Sequence, residues 1–125
     1  PVEVHALGAG ADVHVALRFP DGSVATIAYV TGGSSRFPKE TLDVAADGRS
    51  GRLDNFRQVT IWATRGKTSR RALSQDKGQR AQLDRFVEAV RTGADMPIPL
   101  DSLVATTRAT LAVGTSLASG LPVTL

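Results

Sequence analysis

The chain contains two histidines, His5 and His14, and no cysteine. That removes most of the common catalytic devices. A serine nucleophile needs a base held against it, and neither histidine has an evident serine partner. No Asp, Glu or second His stands beside either histidine at metal-ligand spacing, so no metal site is expected. Thiolate nucleophiles, zinc–thiolate centres and disulfides are excluded outright. HExxH, GxSxG and P-loop patterns are absent. Gly8-Ala9-Gly10-Ala11 has two glycines of a dinucleotide-binding loop, but lacks the third glycine and a following helix. Asp43 and Asp54 would form a carboxylate pair only if neighbouring strands brought them together. No self-sufficient catalytic constellation is present, and no catalytic residue is assigned.

Two polar clusters carry what recognition chemistry there is. One is Phe37-Pro38-Lys39-Glu40, ahead of an expected strand; the other is Gln75-Asp76-Lys77-Gly78-Gln79, just before an expected helix. The second sets donors and acceptors where backbone N–H groups also favour anions. Two readings compete for it. Either Asp76 caps the helix and Gly78 relieves a close approach, or the cluster faces a ligand. Around it the charge is uneven. Residues 65–92 hold eight Lys/Arg against three Asp/Glu, whereas residues 1–64 hold six against seven. A solvated helix face preceded by a basic loop accounts for this. The alternative is a nucleic-acid-binding module using the basic segment 65–80, although no stacking aromatic lies within the basic run.

The elements that must position these residues follow from periodicity. Val13, Val15, Leu17 and Phe19 alternate with polar or small residues, which predicts a strand. Pro20-Asp21-Gly22-Ser23 is a turn, and Val24–Val30 is the return strand of a hairpin across 12–30. A shorter strand is expected at 2–7. The return strand is apolar on both faces, which implies cover on both. Residues 31–37 read as a loop, Thr41–Ala45 as a strand, Asp47-Gly48 as a turn, and 51–63 as one or two strands. A further turn lies near Arg65-Gly66. Leu83, Phe86, Val87 and Val90 then sit at helical spacing within 79–92, ahead of Gly93 as a stop. A second helix, rich in small residues, runs from Asp101 as N-cap to about Ser119, and 121–125 offers an edge strand. Strands first and helices last predicts an α+β fold: an open, mostly antiparallel sheet with two C-terminal helices packed on one face.

Composition fits one soluble domain. With 125 residues and 42% apolar content, a compact fold would expose roughly 6,400 Å² of the roughly 19,000 Å² open in the unfolded chain. No signal peptide and no apolar run of membrane length occur. The absence of cysteine fits a reducing, cytoplasmic setting. The chain begins at Pro1 without methionine, as a piece of something longer would.

Several segments, in this order, carry a resemblance: DVHVALRFPDGSVATIAYV (12–30), RFPKETLDV (36–44), LDNFRQV (53–59), QDKGQ (75–79), the MPIP–helix stretch (96–119) and GLPVTL (120–125). Together they resemble the C-terminal domain of the Gfo/Idh/MocA family (glucose–fructose oxidoreductase and inositol dehydrogenase), in its subgroup with FPKE and QDKGH signatures. The resemblance covers nearly all 125 residues. It implies a single C-terminal substrate and oligomerisation domain over 1–125 and an N-terminal Rossmann domain elsewhere in the parent chain. NAD or NADP would bind to that parent, with no cofactor bound by this chain. It further implies a small-molecule substrate of sugar or cyclitol type and a homo-oligomer formed through the sheet face. The family's hydride transfer uses a lysine and a histidine from motifs that this sequence lacks, so the fragment alone would be inactive. Lys39, Gln75, Asp76 and Lys77 match the signatures and are the expected substrate-binding residues. Gln79 stands where the signature has histidine; it keeps hydrogen-bonding capacity without a titratable group.

Overall fold

The computed structural model describes all 125 residues, which form two compact units: Pro1–Gly33 with Thr92–Leu125, and Ser34–Arg91. Both are built on antiparallel strands, and helices complete the α+β class. The single open sheet expected is realised as two four-stranded sheets, one in each unit.

In the first unit, β1 (Glu3–Ala9), β2 (Asp12–Arg18) and β3 (Val24–Tyr29) form a meander, and the short β8 (Val123–Thr124) closes the other edge in the order β3-β2-β1-β8. The Gly-Ala-Gly-Ala stretch is the β1–β2 turn, with Gly10 at φ +63°. It therefore serves a hairpin and no dinucleotide. The β2–β3 turn forms as its residues dictate: Asp21 Oδ1 accepts from Ser23 N–H and Oγ–H at 3.0 and 2.7 Å, and Gly22 has φ +85°.

Helix α2 (Leu100–Ser119) packs along β1. Its small residues permit close approach, so Ala112 joins Val4, Ala6 and Val15 in the core. Ser116, fully buried, fastens the contact. Its Oγ accepts the Ala6 N–H at 2.9 Å and donates to the Leu121 carbonyl at 2.7 Å. The Ala6 N–H lies beyond the reach of β8, which pairs only with Glu3 and Val4. A helix serine thus supplies what the edge strand does not. Gly8 is fixed by the same packing, since a Cβ there would lie 2.8 Å from the Asp12 carbonyl oxygen and 3.2 Å from Leu117 Cδ2. The N-cap assigned to Asp101 is corrected. Pro99 occupies that position with no side-chain capping bond, and Asp101 lies in the first turn, where its charge suits the helix dipole.

In the second unit, β4 (Thr41–Ala46), β5 (Arg49–Asp54), β6 (Gln58–Ala63) and β7 (Gly66–Arg71) run in sequential order. The expected single or double strand over 51–63 is two strands, and β7 occupies what reads from sequence as a basic loop. Helix α1 (Gln79–Thr92) follows its predicted bounds, but makes no extensive contact with any strand. Leu83, Phe86, Val87 and Val90 are exposed, so α2 alone performs the helix-on-sheet packing expected of both.

Candidate functional site

The β5–β6 turn is the focus of the second unit. Asn55 and Phe56 both take left-handed backbone angles, φ +49° and +52°, and the Arg57 N–H closes the turn on the Asp54 carbonyl at 2.9 Å. Asparagine tolerates this region, but phenylalanine adopts it at a cost of about 1–2 kcal/mol. The surroundings hold the turn in place. The Asn55 N–H donates to the Glu40 carbonyl at 2.7 Å. Gln75 Nε2 donates to the Asn55 carbonyl and to Asn55 Oδ1 at 3.0 and 3.1 Å. The Lys77 ammonium lies 5.6 Å from the centre of the Phe56 ring, within cation–π range, and pairs with the Glu40 carboxylate. Glu40 Oε2 is shut off from water, with that ammonium as its counter-charge.

The two sequence clusters therefore meet. Glu40 of the first and Gln75 and Lys77 of the second converge on Asn55-Phe56. Lys39 does not join them; it is exposed and forms no hydrogen bond or ion pair with the cluster. Asp76 is not a helix cap. Its Oδ1 accepts from the Gly78 N–H at 2.8 Å, an Asx turn one step ahead of α1, and its N–H reaches the Phe56 carbonyl at 3.5 Å. Gly78 is needed for its φ of +75° and not for close approach, because a Cβ there would meet nothing within 4 Å. Reading the sequence alone missed Asn55, Phe56 and Glu40 as partners of the second cluster. The available signal was LDNF, a turn-forming asparagine between two strand segments.

Beside this turn lies a cavity of about 370 Å³, lined by Leu53, Phe56 and Val59 and by Arg57, Arg70 and Asp76, among others. Arg57 Nη2 donates to the Leu73 carbonyl at 2.9 Å.

The other candidate groups separate. Asp43 and Asp54 make no carboxylate pair. Asp43 is held bidentately by Arg52 Nε and Nη2 at 2.7 and 2.8 Å, and this charge-assisted pair draws its carboxyl below the usual value. His5 and His14 stand on the same face of the first sheet but in adjacent rows, since His5 faces Ala16 and His14 faces Leu7. They line a shallow hollow of about 200 Å³ with Leu7, Thr26 and Ala28. No three His, Asp or Glu side chains gather as a metal site would require. The basic residues of β7 do not make one surface either: Lys67 and Arg71 alternate with Arg70 across the sheet. No helix is long and apolar enough to cross a membrane.

Neither a protein-family model nor a curated protein matches the chain. Among solved structures it is similar to aldose-aldose oxidoreductase from Caulobacter crescentus, crystallised in complex with glycerol. The TM-score is 0.80 at 20% identity, over 100% of this chain and 41% of that one. The two share a fold. The chain thus spans less than half the length of the oxidoreductase it matches.

Proposed function

We propose that the chain is the C-terminal domain, residues 1–125, of an NAD(P)-dependent oxidoreductase acting on a sugar, cyclitol or related hydroxyl compound. The observation that carries this reading is the likeness of the whole chain to part of an oxidoreductase. Hydride transfer needs a cofactor and a proton donor or acceptor beside the reacting carbon. The proposal assigns both to an N-terminal Rossmann domain of the parent chain. This domain supplies substrate contacts and an oligomerising sheet face. Lys39, Gln75, Asp76 and Lys77 are the proposed substrate-side residues. Of these, Gln75 and Lys77 also hold the Asn55-Phe56 turn, so their contribution to binding includes keeping that turn in shape.

Calorimetric titration of the 125-residue chain with NAD and NADP tests the reading. No saturable heat is expected at micromolar ligand, and saturable micromolar binding would overturn the assignment of the cofactor site to another domain. Light scattering tests the sheet-face role: dimers or larger species are expected, and a strict monomer at high concentration counts against it. For the nucleic-acid alternative, the splitting of Lys67, Arg70 and Arg71 across two sheet faces is an unfavourable arrangement, since phosphate binding calls for cations on one face.

A further inference from the structure

The cavity beside the Asn55-Phe56 turn combines an apolar floor with a cationic rim. Leu53 and Val59 are opposite one another on β5 and β6, and Val59 is opposite Arg70 on β7, so all three share one face of the sheet. The Phe56 ring adds to the apolar wall. Arg57 and Arg70 line the same cavity, whereas the Arg71 side chain stands on the other face of the sheet. Neither of the two cavity arginines pairs with a carboxylate; Arg57 spends one donor on the Leu73 carbonyl. One acid, Asp76, lines the cavity, and its Oδ1 is engaged by the Gly78 N–H. Two guanidinium groups against one carboxylate leave a local charge of +1. Guanidinium groups with free donors match the geometry of carboxylates and phosphates, which they bind in a fork. An apolar wall with an aromatic edge suits the carbon face of a ring.

We propose that this cavity is a binding site for an anionic small molecule, a carboxylate or phosphate carried on a sugar-sized body, with Arg70 as its principal anion contact and Leu53, Val59 and Phe56 against the carbon skeleton. The site deepens the reading above, since it shares Asp76 with the proposed substrate-side residues, but it is argued from the cavity and not from hydride transfer. Failure of one is therefore distinguishable from failure of the other: NAD(P) titration bears on the parent's chemistry, and sugar titration on the cavity.

The experiment is calorimetry or NMR titration of the 125-residue chain with glucuronate, glucose 6-phosphate and uncharged glucose at low salt. At least one charged sugar should bind at least tenfold more tightly than glucose, and the tighter of the two names the anionic group. This comparison requires no variant. Arg70→Gln should then weaken the charged sugar at least tenfold, while Arg65→Gln, which removes a charge outside the cavity, should change it less than twofold. Equal affinity for glucose and both charged sugars would overturn the proposal, as would no binding of any of them. So would an equal loss in the two variants, since that indicates diffuse attraction. Duplex DNA binding more tightly than either sugar, and weakened equally by both variants, would replace the cavity with a nucleic-acid surface.

Discussion

Replacing Ser116 by alanine deletes one hydroxyl and leaves two backbone groups without their partner, the Ala6 N–H and the Leu121 carbonyl. A buried polar group left unpaired costs about 1–3 kcal/mol. The Ala6 N–H bears the larger penalty, because Ala6 is 1% exposed and water cannot replace the hydroxyl. The Leu121 carbonyl belongs to a largely exposed residue and rehydrates, so its penalty is the smaller. Alanine returns about 0.5 kcal/mol through its better helix propensity. The net expectation is a loss of about 2–3 kcal/mol, or about 8–12 °C in melting temperature for a chain of this length. Urea unfolding followed by far-ultraviolet circular dichroism would measure the loss, and amide exchange would locate it: Ala6 should exchange faster while amides within the β5–β6 pair keep their rates. A loss below about 0.5 kcal/mol, with Ala6 protection unchanged, would refute the idea that the helix serine stands in for a missing strand partner.

Gly8→Ala should destabilise by about 1–3 kcal/mol, since the new Cβ meets backbone and not a yielding side chain, whereas Gly10→Ala, with open space around it, should lose only about 1 kcal/mol for its left-handed angle; denaturation midpoints of the two variants check the order. Lys77→Met removes the counter-charge of Glu40 Oε2, which is shut off from water, and should cost about 1–3 kcal/mol of stability, so a larger loss of sugar affinity by calorimetry than of stability would mark a substrate role. The carboxyls of Asp12, Asp21 and Asp43 all sit below their ordinary value of 3.8, held by hydrogen bonds from Thr31, from Ser23 and from Arg52 respectively. Their folded-state values are the lower ones, so the stability they contribute is present above the unfolded value and is lost as pH falls through the folded one. Acid titration of the melting temperature should therefore show a decline beginning near pH 4 and continuing below it; a flat profile would contradict the geometry.

What the sequence made legible is what local chemistry decides. Gly22, Gly93 and Gly120 mark a turn and helix ends whose left-handed backbone angles glycine adopts cheaply, and Asp21 closes its turn by accepting from Ser23. Alternation in 12–30 and the i, i+3, i+4 spacing in α1 are also one-dimensional signals. β7 was illegible because GKTSRR has no apolar alternation. Its strand character comes from cross-strand pairing with β6, including the Thr60–Ser69 hydroxyl contact at 3.1 Å. The site was half legible. Gln75 and Lys77 were visible as polar groups before a helix, but their partners Asn55 and Glu40 are 20 or more residues away and only the fold brings them near. Lys39, beside Glu40 in sequence, stays out of the cluster, because a neighbour along the chain need not be a neighbour in the fold.

The exposed stripe of α1 and the uncovered strand residues have a thermodynamic consequence. The folded chain exposes 10237 Å², against roughly 6,400 Å² for a compact fold of this mass. Folding therefore buries about 8,800 Å², roughly 70% of the burial a compact domain of this mass would achieve. Denaturant sensitivity and the heat capacity of unfolding both scale with that burial. The isolated chain should thus unfold over an unusually broad range of urea, and its stability should vary only gently with temperature. Any partner that seats on the exposed apolar stripe will sharpen the transition as it raises the midpoint, so the steepness of an unfolding curve becomes a direct gauge of how much of this surface is covered.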